Sequence, residues 1–175
     1  KLDVNLLVQA NRQLEEFYLL TKLRFACEIE NRNYILKEGT ASILNQQVES
    51  IIETYYPDKP TFKVFSLLIE LIRNKSEITY NSFKKIILTE EFRDKKFHLS
   101  FLMYAANFVA SKTRENEKLY TREALSIYEF GLKTKLLIVD TIFPDLPFKN
   151  IVNLYCFLNE PNKAIDFVNT WEIFL

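Results

Sequence analysis

The chain has 175 residues, of which 48% are apolar and 26% charged, and its 23 basic side chains are balanced by 23 acidic ones. This is the composition of one ordinary globular domain, with no net field that would draw it to nucleic acid or to an anionic membrane. Average usage would give about twelve glycines, but the chain has only Gly39 and Gly131, which argues against β folds and nucleotide-binding α/β folds.

Apolar residues recur at intervals of three and four along most of the chain, which predicts eight or nine helices. The first runs over Leu14–Leu36, either separate from a short helix at Val4–Ala10 or joined to it. A second covers Ser42–Tyr55 and is stopped by Pro57 and Pro60. Thr61 is the predicted N-cap of a third helix, Phe62–Arg73.

Five further helices are predicted after Arg73. The first of these, Thr79–Leu88, ends at the midpoint of the chain, and the others cover Lys96–Lys112, Thr121–Leu137 (with Thr121 at its start), Phe148–Leu158 and Asn162–Phe174. Most of the links between them are short, and short links make consecutive helices antiparallel neighbours. The sequence therefore predicts an all-α protein made of helix pairs.

One spacing pattern recurs in the first helix of three of these pairs. Large residues stand at offsets 0, 3 and 7 and a smaller one at offset 4, in the sets Phe62, Phe65, Ser66, Ile69; Phe101, Tyr104, Ala105, Phe108; and Phe148, Ile151, Val152, Tyr155. Offsets of this kind share one helical face. The second helices carry a small residue followed four positions later by a large one, Ala124 with Tyr128 and Ala164 with Val168.

These patterns resemble those of the tetratricopeptide-repeat superfamily. The resemblance implies a right-handed superhelical stack of about four antiparallel hairpins, with residues 1–60 as a degenerate hairpin and 61–95, 96–137 and 147–175 as repeat-like ones. The starting phenylalanines are 39 and 47 residues apart, compared with about 34 in the family. Such uneven spacing is unsuited to reading RNA one base per repeat. The sequence, including residues 17–28, also resembles uncharacterised helical proteins of Bacteroidetes-type bacteria.

Proteins of the tetratricopeptide-repeat type bind extended peptides or partner helices in a groove lined by first helices. At the groove positions of the last pair the chain has Lys149, Asn150 and Asn153, and Lys149 and Asn153 resemble residues with which some members hold a peptide carboxylate. The preceding pair offers Leu102, Met103 and Ala106, which are apolar, so such a clamp is incomplete. These three form either a partner surface or, as the preferred interpretation, part of the core.

Candidate chemical groups are sparse in this sequence. Cys27 and Cys156 stand in apolar surroundings without a CxxC spacing, which predicts reduced, buried thiols. His98 has no second ligand at a suitable distance, so we predict a structural or solvated histidine and no metal or cofactor. Serines, lysines and acidic pairs match no catalytic motif, and we expect the chain not to be an enzyme.

The main hypothesis is a protein- or peptide-binding scaffold, expected in the bacterial cytoplasm. One alternative is the helical regulatory part of an enzyme whose catalytic region lies elsewhere, since the chain is expected to be a fragment of a longer protein. The second is a nucleic-acid-binding repeat, suggested by the locally basic residues 61–120. Trp171, Phe174 and Leu175 predict an apolar helix end through which copies could self-associate.

Overall fold

The structure, a computed structural model, describes residues 4–36, 58–90, 94–113 and 116–175, together with the single positions 50, 53, 54, 56 and 92. Within these residues it is all-α, with no more β structure than an isolated bridge between Val139 and Ile142. The predicted all-α class is therefore confirmed. The predicted helix Ser42–Tyr55 lies mostly outside the described residues.

Seven α-helices and a terminal 3₁₀ turn are described. They are α1 (Val4–Leu36), α2 (Pro60–Asn74), α3 (Glu77–Thr89), α4 (Lys95–Lys112), α5 (Glu117–Lys133), α6 (Asp145–Phe157), α7 (Pro161–Trp171) and the turn Glu172–Phe174. Val4–Ala10 is continuous with the first predicted helix. By internal contacts the chain divides into two compact units, Lys1–Ile86 and Ile87–Leu175, with the division inside α3.

Several helix ends follow directly from local chemistry. Asp94 caps α4 by accepting hydrogen bonds from the backbone N–H groups of Lys96 (2.8 Å) and Phe97 (3.4 Å). Pro60 and Pro161 stand in the first turns of α2 and α7, where a missing N–H costs nothing. Lys75, which follows α2, has the left-handed conformation usual at helix C-termini, with φ 51°.

Two predicted helix starts were wrong. Thr61 does not cap α2, because that helix already begins at Pro60 with Lys59 in the N-cap position. Thr121 is buried inside α5, whose N-cap is Asn116; the Asn116 side chain accepts a hydrogen bond from the N–H of Leu119 at 3.2 Å. In both cases a better starting residue precedes the threonine.

In the first unit α1 packs against α2. Leu19, Leu23, Ala26 and Cys27 form the buried face of α1. Two ion pairs join the helices, Glu16 with Lys59 and Glu30 with Arg73, the latter at 2.6 Å. Each pair joins residues 43 apart in sequence, so α1 and α2 run in the same direction.

The second unit consists of two hairpins, α4 with α5 and α6 with α7, joined by residues 134–144. α5 and α6 also pack together and run antiparallel, since Tyr155 bonds to Glu129 while Arg122 bonds to Glu160. Phe143 is fully buried in the second hairpin. Its ring lies 5.6–6.0 Å from three other aromatic rings, those of Phe148, Phe167 and Trp171.

The repeated faces identified in the sequence are mainly core faces. Offsets 0, 3 and 7 are buried or half-buried in all three sets, and Ala124 and Ala164 are buried as the small-residue pattern predicts. Ser66 is the exception. It is exposed, and its hydroxyl donates to the carbonyl of Phe62 one turn earlier.

Candidate binding surface on the last hairpin

An open hollow of about 310 Å³ lies along the last hairpin, between α6 and α7. Its walls are almost entirely apolar, and the lining residues are Val152, Cys156, Pro161, Ala164, Ile165, Val168 and Asn169. Ala164 is buried in the first turn of α7, and a larger side chain at this position would reduce the volume of the hollow. The hollow therefore exists because a small residue stands where two helices meet.

Apolar side chains near the hollow are unusually exposed. Ile165 shows 57% of its surface to solvent and Phe157, at the end of α6, shows 73%. Cys156 is exposed as well, so the prediction that this thiol is buried was wrong. The error has a simple cause: the face of α6 that carries Val152 and Cys156 borders the hollow and not the core. Cys27, by contrast, is buried as predicted.

Two of the predicted groove residues lie beside this hollow. Positions 149, 152, 153 and 156 share one face of α6, so Lys149 and Asn153 adjoin its α6 wall, and both are exposed. Lys149 donates to Asp145 at 2.9 Å, one turn earlier on the same helix. The Lys149 ammonium is thus already paired with Asp145, whereas binding of a peptide carboxylate would require it to be available.

Asn150 has a different role. Its amide donates to the Tyr128 hydroxyl at 3.0 Å and so joins α6 to α5. Burial raises the pKa of Tyr128, and the bond from Asn150 opposes that rise. Asn150 is therefore a residue that holds two helices together and not a groove residue.

The groove predicted on the preceding hairpin does not form. Leu102 and Ala106 are buried, and Leu102 lies near Gly131 of α5, so both are core residues of the α4–α5 hairpin. Met103 is half-buried. Burial was the preferred interpretation for these residues, and it is confirmed for Leu102 and Ala106. Their apolar character reflects helix packing and not a partner surface.

A group of charged and polar side chains lies across α5 and the start of α7. Arg122 binds both carboxylate oxygens of Glu160, and Lys163 lies 3.2 Å from the same carboxylate. These hydrogen bonds, that from Arg122 above all, lower the pKa of Glu160 to about 2. Burial and the neighbouring Glu129 raise the pKa of Tyr155 to about 12. The arrangement fixes the α6–α7 turn against α5.

His98 is a structural histidine, the first of the two predicted alternatives. Its ring is buried against Phe92, with centroids 4.8 Å apart, and its Nε2–H donates to the carbonyl of Ile87 at 2.7 Å. Burial lowers the pKa of the imidazole, and the bond to Ile87 partly offsets that change. The side chain is thus a neutral donor that satisfies a backbone carbonyl.

The hollow was not predicted from the sequence, although the apolar pattern of α7 indicates a second exposed apolar strip. Residues 161, 164, 165 and 168 of α7 are apolar at offsets 0, 3, 4 and 7, in addition to the buried Phe167 and the half-buried Trp171. Such a helix has more apolar surface than one contact can cover. The second apolar strip forms the α7 wall of the hollow.

Comparison with known proteins adds no relative. No protein-family model, no curated protein and no solved structure matches the chain. Among the helices that the structure describes, none is both long and apolar enough to cross a bilayer. Across the same residues, no three His, Cys, Asp or Glu side chains converge as metal ligands would.

Proposed function

We propose that this chain is a non-catalytic interaction module whose α6–α7 hollow holds large apolar side chains of a protein or peptide partner. The observation that carries the proposal is the solvent-open, apolar-walled space of about 310 Å³. A dry cavity of about 150 Å³ is enough to bind benzene. The hollow is thus large enough for about two aromatic or branched aliphatic side chains.

The groups at its border favour a peptide as the occupant. Asn169 lines the hollow, and Asn153 stands exposed on the adjoining face of α6. A carboxamide both donates and accepts hydrogen bonds, so it matches the alternating N–H and C=O groups of a polypeptide backbone. An apolar space flanked by such groups is the usual form of a peptide-binding groove between helices.

The hollow does not suggest a reaction. Apart from Cys156, no titratable residue lines it. The nearby Glu160 carboxylate is engaged by Arg122 and Lys163. Recognition of an apolar surface requires no proton transfer, which agrees with this composition.

We also propose that the hairpins belong to a tetratricopeptide-like helical repeat. In such a stack the first helices of successive pairs lie side by side and run in the same direction. The parallel packing of α1 on α2 supports this arrangement, as does the antiparallel packing of α5 on α6, where a second helix meets the next first helix. Small-angle scattering from the full chain would test whether the hairpins form an extended stack, as proposed, or a compact closed bundle.

The peptide proposal can be tested by selecting phage-displayed peptides on the immobilised full chain. The selected peptides should share two large apolar residues and should shift the methyl resonances of Val152, Ile165 and Val168. Ile165→Lys should weaken their binding at least about tenfold, because it places an ammonium at the mouth of an apolar site. The matched control is Leu119→Lys, since Leu119 is equally exposed on α5, at 59%, and does not line the hollow.

Two results would contradict the proposal. Peptides without a shared apolar pair would show that the hollow does not select its occupant. Equal loss of binding in both lysine variants would show that charge alone, and not the hollow, determines affinity.

A further inference from the structure

The α4–α5 hairpin has positions that correspond to the lining of the hollow. The recurring pattern of the first helices matches Phe101 to Phe148, and that of the second helices matches Ala124 to Ala164. Counting from these two matches gives the counterpart of each lining residue. The counterparts of Cys156, Ile165 and Val168 are Val109, Leu125 and Tyr128.

The two sets differ in their exposure to solvent. Val109 and Leu125 are fully buried, whereas their counterparts Cys156 and Ile165 are exposed. Tyr128 is also buried, and its counterpart on α7 is only half-buried. The same surface is therefore covered on the α4–α5 hairpin and open on the α6–α7 hairpin.

A helix, α6, covers the α5 side of this surface. The Asn150 amide donates to the Tyr128 hydroxyl at 3.0 Å, and the Tyr155 hydroxyl donates to the Glu129 carboxylate at 3.1 Å. The arc of α6 between these two donors carries two apolar side chains, the fully buried Ile151 and the half-buried Leu154. The helix thus supplies apolar side chains at the centre of the contact and hydrogen bonds at its edges.

We propose, resting on the function proposed above, that the occupant of the hollow is an amphipathic α-helix of another protein, which packs on α7 as α6 packs on α5. This helix runs antiparallel to α7, as α6 does to α5. Its counterparts of Ile151 and Leu154 fill the volume of about 310 Å³. The α6 helix of a second copy cannot take this place, because its matching face is already engaged with α5.

Two differences between α5 and α7 define which residues this helix should carry. Val168 stands where α5 has a tyrosine, and its side chain offers no hydrogen-bond acceptor. The helix should therefore have an apolar residue where α6 has Asn150. Asn169 stands where α5 has a glutamate, and a carboxamide oxygen also accepts a hydrogen bond. The helix should therefore keep a donor where α6 has Tyr155.

A synthetic peptide with the sequence of residues 145–158 serves as the probe, since it carries the face that α6 presents to α5. Cys156→Ser prevents disulfide formation, and a lactam from Lys149 to Asn153→Asp stabilises a helix that would be marginal alone. The lactam lies on the helix face opposite the contact. Two versions are compared, one that retains Asn150 and one with Asn150→Leu.

Fluorescence anisotropy with the full chain measures the affinity of both peptides, and circular dichroism verifies that each chain variant is folded. The Asn150→Leu peptide should bind about tenfold more tightly, because an amide against Val168 loses its hydrogen bonds to water without replacement. Ile165→Lys in the chain should weaken this binding at least about tenfold, and Leu119→Lys should leave it unchanged. Equal affinity of the two peptides, or no binding of either, would overturn the inference.

A double-mutant cycle between peptide and chain tests the direction of the helix. Tyr155→Phe in the peptide and Asn169→Ala in the chain should each weaken binding about two- to tenfold, since each removes the same hydrogen bond. Once one change is made, the other should have little further effect. Losses that simply add would show that the two groups do not meet and would refute the proposed direction.

Two outcomes separate a failure of this inference from a failure of the proposed function. Phage-selected peptides that bind at the hollow while neither α6 peptide does would retain the peptide site and exclude the helix. Failure of both kinds of peptide would contradict the proposed function as well. Reversible dimerisation of the full chain that Ile165→Lys abolishes would identify a second copy as the occupant and overturn the inference.

Discussion

At Gly131, the effect of an added methyl group on the stability of the protein should depend on one neighbouring side chain, that of Leu137. Gly131 lies buried in α5, and the chain folds back over it directly after the helix. The N–H groups of Leu136 and Leu137 both donate to the Gly131 carbonyl, at 2.8 and 3.2 Å. A Cβ at residue 131 would stand 2.9 Å from Leu137 Cγ and 3.1 Å from its Cδ1. Leu137 is itself fully buried and has little room to move.

Two opposing terms determine the stability of Gly131→Ala. Alanine gains about 1 kcal/mol over glycine inside a helix, whereas overpacking of a core costs about 1–3 kcal/mol. The variant should therefore be less stable than the wild type by about 0–2 kcal/mol. In a Leu137→Ala background the obstructing atoms are gone. There the same substitution should stabilise the protein by about 0.5–1 kcal/mol.

A double-mutant cycle by urea denaturation measures both effects. The expected coupling between positions 131 and 137 is about 1–3 kcal/mol, the overpacking term alone. Leu137→Ala provides its own reference state and should cost about 2–5 kcal/mol. An equal effect of Gly131→Ala in both backgrounds would refute the idea that Leu137 is what requires a glycine.

Two further predictions concern side chains that titrate or react. A maleimide should modify one thiol per native chain and two in denaturant, since Cys156 is exposed while burial raises the pKa of Cys27 to about 12; modification of the native Cys156→Ser variant would contradict this. The second prediction concerns acid. Because burial lowers the His98 pKa below its ordinary 6.5, the unfolded chain binds the proton first as the pH falls. Unfolding free energy should thus decline below pH 6.5, and less so in His98→Gln; identical pH dependence of both proteins would exclude this role.

The positions of the helices were readable from sequence because their causes are local. Prolines at 60 and 161 and the three-and-four spacing of apolar residues act within a turn or two. One helix end was predicted wrongly: α5 was expected to end at Leu137 but ends at Lys133. The residues after it fold back over Gly131, and Lys135 takes a left-handed conformation, with φ 58°. That reversal depends on tertiary packing, which the helical periodicity does not reveal.

The candidate site was less predictable than the helices, because it too depends on tertiary packing. Helical spacing fixes which residues share a face, so Lys149 and Asn153 were expected on one side of α6, but the hollow beside them was not expected. The surroundings of Asn150 and Cys156 were not predictable either, since they depend on which neighbour each face meets. Asn150 meets Tyr128 across α5 and α6, whereas the Cys156 face borders the hollow. A periodic pattern shows that a face is apolar but not whether another helix covers it.

The final turn of the chain has a structural consequence for the hairpin that contains the hollow. The Phe143 N–H, just before α6, donates to the carbonyl of Phe174 at 2.6 Å, and the ring of Trp171 lies against that of Phe143. The residue that precedes the hairpin, Phe143, is thus bonded to and packed against the residues that follow it. Removing residues 171–175 would leave the Phe143 N–H without its acceptor and would expose the ring of Phe143 to water. The residues that follow α7 therefore help to maintain the shape of the hollow.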